Sequence, residues 1–143
     1  MYRVIPKTAL YLLKGRKFPL EGGGIAKKSF MHASDLATAI YLILHKAKSG
    51  EVYNAGVDHP TTIRNLVEIT AEILGLKFDD SVEITAGRKT EDNQYWIDSS
   101  KIKNELGWNA NINLRQGIEE TVNWVKDNQI ELSKEDEFFT LRA

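Results

Sequence analysis

Apolar residues recur at helical spacing from the first few positions. Ile5, Ala9, Leu12 and Leu13 share one side of a helix expected over residues 4–14, with Pro6 in the first turn, where its missing N–H costs nothing, and Gly15 near the stop. The pattern opens with no strand or turn before it, as expected of a chain cut from a longer one. Phe18-Pro19-Leu20 reads as a short extended piece, and Glu21-Gly22-Gly23-Gly24 as a turn too glycine-rich for helix or strand. Ser29-Phe30-Met31-His32 has the pattern of a strand. Ser34 or Asp35 then caps a helix carrying Leu36, Ala39, Ile40, Ile43 and Leu44, which Ser49-Gly50 ends.

The alternation repeats downstream. Glu51-Val52-Tyr53-Asn54-Ala55-Gly56 predicts a second strand, and Thr61-Thr62 starts a helix with Ile63, Leu66, Val67 and Leu74 on one face, closed by Gly75. Val82-Glu83-Ile84-Thr85 predicts a third strand, a polar stretch runs from Ala86 to Gln94, and Tyr95-Trp96-Ile97 is briefly extended. Asp98 caps a helix with Ile102 and Leu106 inward and Gly107 at its end. Asn113 and Gln116 form a capping box for a last helix striped by Leu114, Ile118, Val122 and Val125. Beyond Asn128 the chain is charged and expected to fray, so residues 1–128 are read as the domain and 129–143 as a tail. Strand, helix, strand, helix is the order of parallel βαβ units. The predicted fold is therefore α/β, with small parallel strand pairs covered by about five helices. Ligands are expected at the carboxyl ends of the strands, around His32-Ala33-Ser34 and Asn54-Ala55-Gly56.

Composition narrows the chemistry. A chain of 143 residues supports one domain with a sizeable core. Its 19 basic and 20 acidic side chains leave a formal charge of −1, so no overall field recruits nucleic acid or an anionic membrane, and any anion site must be local. The absence of cysteine excludes disulfides, thiolate metal sites and a Cys nucleophile, and three dispersed histidines do not suggest a metal site. No secretory signal opens the sequence and no apolar run approaches the roughly 18 residues that span a bilayer, so a cytoplasmic protein without membrane contact is expected.

Five segments in order carry a family resemblance: Arg3-Val4-Ile5-Pro6; Phe18-Pro19-Leu20-Glu21-Gly22-Gly23-Gly24; Lys28-Ser29-Phe30-Met31-His32-Ala33-Ser34-Asp35-Leu36-Ala37; Glu51 through Gly56; and Arg88 through Lys101, followed by Glu105-Leu106-Gly107-Trp108 and Gly117 through Val122. Together they resemble the carboxyl-terminal lobe of the extended short-chain dehydrogenase/reductases, in particular the NAD-dependent nucleotide-sugar epimerases and 4,6-dehydratases. The resemblance implies a complete enzyme that uses NAD or NADP held by an amino-terminal Rossmann lobe. That lobe's glycine-rich turn and Tyr-x-x-x-Lys pair have no counterpart here: no glycines stand at the required spacing, and no tyrosine has Lys four positions later. No catalytic, cofactor-binding or metal-binding residue is therefore assigned. The expected partners are a nucleoside diphosphate sugar and the missing Rossmann lobe, with a homodimer possible, as is common in the family, and no nucleic acid.

The lobe in this family holds the nucleotide. By the resemblance, Arg88 matches the diphosphate-binding arginine, and a planar guanidinium can grip two phosphate oxygens. Lys28 stands where many relatives carry a second arginine, Asn54 matches an asparagine at a strand end, and Arg3 replaces a lysine near the nucleotide. Pro19, Leu20 and Glu21, with Phe18, match the strand that flanks the base. Glu21 departs from an aromatic residue, and Glu91 from a histidine found in some dehydratases. Bland readings stand beside these: Lys27 and Lys28 are also explained as a hydrated turn, Asn54 as a turn former, Asp35 as a helix cap, and Trp96, Trp108 and Trp124 as packing residues. The implied function is the substrate-binding part of a nucleotide-sugar 4,6-dehydratase or epimerase, without turnover alone. The alternatives are a non-catalytic nucleotide or nucleotide-sugar binding module, and a nucleic-acid contact through Lys14, Arg16, Lys17, Lys27 and Lys28, which the near-neutral total opposes.

Overall fold

The computed structural model describes residues 3–87 and 94–134. Arg88 and Glu91 lie outside them. Among the described residues the architecture is mixed α/β, with seven α-helices and small sheets that include two parallel strand pairs. The chain divides into two compact units, one containing residues 1–25, 62–91 and 118–143, the other residues 26–61 and 92–117.

The first unit opens with α1 (Val4–Leu13), whose N-cap is Arg3, and continues into β1 (Phe18–Glu21). Glu21, which the residue pattern puts in the turn and the family resemblance puts in the strand, closes the strand, its backbone pairing in register with Thr85 of β4 (Val82–Thr85). These two strands are parallel, from Phe18 opposite Val82 to Glu21 opposite Thr85. Gly22–Gly24 form the expected turn, of 3₁₀ type, and all three adopt positive φ. A Cβ on Gly24 would come within 2.7 Å of the backbone nitrogen of Arg64, so this position takes glycine for space as well as for φ. α3 (Ile63–Ile73) is capped by Thr62, whose Oγ1 accepts the Asn65 N–H at 3.0 Å. A one-turn helix missed by the periodicity, α4 (Phe78–Ser81), leads into β4. The core of this unit joins Tyr11, Phe18, Leu20, Val67 and Val82, with the Tyr11 and Phe18 rings edge to face at 5.9 Å.

In the second unit the predicted strand Ser29–His32 is not formed. The strand, β2 (Lys27–Lys28), lies two residues earlier and pairs in parallel with β5 (Gln94–Tyr95); only the Ser29 N–H, donating to the Tyr95 carbonyl, extends that ladder. The short strand β3 (Thr61–Thr62) pairs along the other edge of β2. α2 (Ala33–Lys46) begins two to three residues earlier than expected. Its N-cap is His32, whose Nδ1 accepts the Ser34 N–H, so neither Ser34 nor Asp35 caps it.

The expected helical stripe of α2 also divides. Ala39 is buried and Ile43 half-buried, while Leu36, Ile40 and Leu44 are exposed. Residues 51–57, predicted to begin with a strand, join no sheet. Two of their carbonyls are taken by side chains, Val52 O by Lys101 Nζ at 3.0 Å and Gly56 O by Ser99 Oγ at 3.1 Å. α5 (Ser100–Leu106) ends on Gly107 at φ +70°, as the sequence predicts. Its N-cap position is Ser99, but the capping bond comes from Asp98, whose Oδ1 accepts the Ser100 N–H at 2.8 Å. Ala39, Ile102, Leu106 and Trp108 form this unit's core.

α6 (Leu114–Asp127) starts where the capping box places it, with Asn113 Oδ1 accepting the Gln116 N–H at 2.9 Å. Ile118, Val122 and Val125 are fully buried. In the tail, Gln129–Leu132 form a further helical turn, α7.

Candidate functional site

In the first unit the parallel pair β1 and β4 ends at two glycines. A Cβ on Gly22 would stand 3.3 Å from Gly87 Cα, and one on Gly87 would stand 3.2 Å from Gly22 Cα, so the two backbones meet closely just past the strand ends. The carboxyl end of parallel strands is where α/β folds admit ligands. Arg88 follows Gly87 immediately in sequence, although its own placement lies outside the described residues.

Four of the expected contacts among the described residues belong to this unit. Pro19 and Glu21 are half-buried on β1. Leu20 is 1% exposed and packs in the core, so only its backbone is available to a ligand. Arg3 is exposed at the start of α1, where its carbonyl accepts the Lys7 N–H at 3.0 Å.

Lys28 and Asn54 belong to the second unit. Lys28 is half-buried on β2 opposite Tyr95. Asn54 is exposed in the segment that joins no sheet. Polar side chains flank this segment. The Tyr53 hydroxyl donates to Glu105 Oε2 at 2.8 Å, which holds the phenol above its ordinary pKa because deprotonation would break that bond and place two anions together. Lys101 Nζ lies 2.6 Å from Glu51 Oε2 and over the Tyr53 ring, and its pKa is raised, chiefly by the hydrogen bond to Glu51.

The same unit holds a cleft of about 440 Å³, bordered by Gly56 at the end of the Asn54-Ala55-Gly56 segment where the sequence expects a ligand. Phe30, His59, Asn109, Asn111 and Asn113 line it together with Lys103, which is ion-paired to Asp58. Neither Lys28 nor Asn54 borders it. The part of its lining that the sequence reading missed is signalled by the alternation Asn109-Ala110-Asn111-Ile112-Asn113, in which every second residue is an amide.

Asp35 is the residue whose role the sequence misjudged most. It is 3% exposed, and its carboxylate clamps a distant loop: Oδ1 accepts the Asn111 N–H at 3.0 Å and Oδ2 the Ile112 N–H at 3.2 Å. The Trp108 indole N–H donates to the Asp35 carbonyl at 3.0 Å. The helix-capping role expected of Asp35 falls to His32, and its carboxylate is spent on structure rather than on ligand.

No group of His, Asp and Glu among the described residues could hold a metal ion. The run Gly22–Gly24 leads into the two-residue strand β2 rather than into a helix, so it does not fit the pyrophosphate of a dinucleotide. Among the described residues no helix is long and apolar enough to cross a membrane.

Comparison with known proteins places this chain with the extended short-chain dehydrogenase/reductases, a group whose solved members include NAD-dependent nucleotide-sugar dehydratases and epimerases. It is similar to the C-terminal portion of dTDP-glucose 4,6-dehydratase from Bacillus anthracis solved in complex with NAD, at 35% identity and a TM-score of 0.81, covering 88% of this chain and 39% of that one. It is also similar to UDP-glucose 4-epimerase from Thermotoga maritima with UDP-glucose, at 25% identity and a TM-score of 0.80, covering 88% of this chain and 40% of that one. The dTDP-glucose 4,6-dehydratase of Streptomyces antibioticus is 30% identical over 127 residues, 89% of this chain and 38% of its own length. The GDP-mannose 4,6 dehydratase family model matches residues 1–121, and the chain belongs to that family. It spans less than two fifths of the curated relatives it matches, and a smaller share of the longest.

Proposed function

We propose that this chain is the nucleotide-sugar-binding part of an NAD-dependent 4,6-dehydratase or epimerase, with Arg88 as the principal cation for the diphosphate. The observation that carries the reading is the family match over residues 1–121, combined with two parallel strands that end on the Gly22–Gly87 approach next to Arg88 in sequence. A diphosphate diester carries about two negative charges, and a guanidinium near 4 Å gains on the order of 4 kcal/mol at an effective dielectric of about 20, before desolvation. In a chain of net charge −1 that attraction must come from single side chains. Pro19, Leu20 and Glu21 flank the base in this reading, with Arg3 as a further cation. Lys28 and Asn54 are the second unit's candidate contacts, each to be tested singly. Lys28 supplies charge without the guanidinium fork, so its contact is looser. The residues here bind and orient; NAD, held by the rest of a complete enzyme, supplies hydride transfer.

Thermal-shift and calorimetric titration with UDP and dTDP test the reading. Binding of either should raise the melting temperature, and Arg88→Ala should weaken it about 10- to 100-fold, the worth of one charge-assisted contact, while the unliganded melting temperature stays put. No shift with either nucleotide, or equal binding by Arg88→Ala, would refute it.

A further inference from the structure

The cleft of the second unit has the build of a binding site, and neither Lys28 nor Asn54 borders it. Its volume of about 440 Å³ lies within the range of small-molecule sites. Two of its walls are loops whose backbones are tied to the rest of the unit. In one, the Val57 carbonyl accepts the Ser29 hydroxyl at 3.0 Å, and the Val57 N–H donates back to the same oxygen at 3.3 Å. The neighbouring Gly56 carbonyl accepts the hydroxyl of the buried Ser99. In the other, the Asp35 carboxylate holds the N–H groups of Asn111 and Ile112. Loops are ordinarily the mobile parts of a fold, and fixing them beforehand removes an ordering cost that a ligand would otherwise meet.

The side chains on these walls narrow the chemistry of that ligand. Along residues 109–113 burial alternates: Asn109, Asn111 and Asn113 are exposed, while Ala110 and Ile112 between them are half-buried. The amides therefore stand on the open side of one extended strip, each combining an NH2 donor with a carbonyl acceptor. Asn113 commits its carbonyl oxygen to the Gln116 N–H, so its offer to a ligand is the NH2 group. Lys103 and Asp58 are ion-paired with each other, so among the described residues no unbalanced permanent charge lines the cleft. Half-buried Phe30 adds an aromatic surface. A phosphate would find the one lysine already matched by a carboxylate. A wholly apolar ligand would strip water from the amides and give nothing back. A sugar ring meets both demands, because its hydroxyls donate and accept while its C–H face suits the negative face of an aromatic ring.

We propose that this cleft binds a neutral hexopyranose, with Asn109 and Asn111 hydrogen-bonding its hydroxyls and Phe30 lying against its C–H face. The site does not depend on the nucleotide contacts proposed above.

Titration of the isotope-labelled chain with the methyl pyranosides of glucose, galactose and mannose, followed by amide NMR, tests it. At least one of the three should shift the side-chain NH2 signals of Asn109 and Asn111 saturably at millimolar concentration. Asn109→Ala and Asn111→Ala should each weaken that binding about 3- to 10-fold, the worth of one neutral hydrogen bond. Neither should lower the melting temperature, since the Asp35 clamp takes backbone N–H groups and leaves these amides out. Phe30→Leu, which keeps an apolar side chain and removes the ring, should weaken binding as well. No saturable shift with any of the three sugars, or unchanged affinity in both asparagine variants, overturns the proposal. So does a stronger response of the same signals to uridine or to inorganic phosphate, since the cleft would then take a base or an anion. Sugar binding that saturating UDP displaces also overturns it, because the cleft would then be part of the nucleotide site. Arg88→Ala should bind the sugar as the parent does, so failure of the nucleotide reading and failure of this one are told apart.

Discussion

At the scale of single residues, Asp35 shows how a side chain can satisfy a local rule in the sequence and serve a distant purpose in the fold. An acidic residue ahead of an apolar helical run reads as a cap, yet its carboxylate holds the N–H groups of Asn111 and Ile112, more than seventy residues away. Asp35→Ala would leave two backbone donors short of a partner at a buried position, so it should destabilise the protein by about 2–4 kcal/mol. Asp35→Asn, which keeps one carbonyl oxygen as acceptor, should cost less. Chemical denaturation of the three proteins checks the order, and equal stability of the alanine variant would contradict the clamp. Local sequence carried no sign of this contact, because nothing near Asp35 points to the loop after Trp108. Residues whose work is local were legible: Gly107 at a helix end, Thr62 at a helix start, Asn113 facing the Gln116 N–H.

At the scale of elements, helices were read well and strands poorly, for one physical reason. A helix closes its hydrogen bonds within its own segment, so α1, α3, α5 and α6 follow from spacing and caps. A strand needs a neighbour, so Val82–Thr85 forms against β1, whereas Ser29–His32 and Glu51–Gly56, equally strand-like in sequence, do not form strands. The start of α5 offers a test of this local control. Asp98 accepts from both the Ser100 hydroxyl, at 2.6 Å, and the Ser100 N–H, and these bonds, the hydroxyl first, hold its carboxyl below the ordinary value of 3.8. A carboxyl depressed in the folded state adds stability that is fully present above its unfolded value and disappears as pH falls through the folded one. Asp98→Ala should therefore melt a few degrees below the parent at neutral pH, and the gap should narrow as the pH falls below the ordinary carboxyl value and through the depressed folded one. A gap that persists unchanged in acid would mean that the ionised carboxylate is not what holds the helix start.

At the scale of the whole molecule, each unit has its own apolar core, Tyr11, Phe18, Leu20, Val67 and Val82 in one and Ala39, Ile102, Leu106 and Trp108 in the other. The candidate nucleotide contacts are divided between the units, which the linear order of motifs did not reveal. The family and its α/β character were legible because five motif segments keep their order, whereas the division into units depends on which segments distant in sequence pack together. What the chain can do alone is a question of this scale. Its relatives bind NAD in structures of which it covers about two fifths, and its own run Gly22–Gly24 opens into a strand, leaving no helix N-terminus aimed at a pyrophosphate. No tyrosine is followed by lysine four positions on, so the Tyr-x-x-x-Lys pair that the family resemblance implies does not occur in this sequence. The isolated chain should accordingly show no heat of binding with NAD under conditions where UDP or dTDP titrates, and no turnover of a nucleotide sugar. Micromolar NAD affinity would require a dinucleotide site built from residues other than those of the glycine-rich turn, and would overturn the proposed division of labour between this chain and a cofactor-binding lobe.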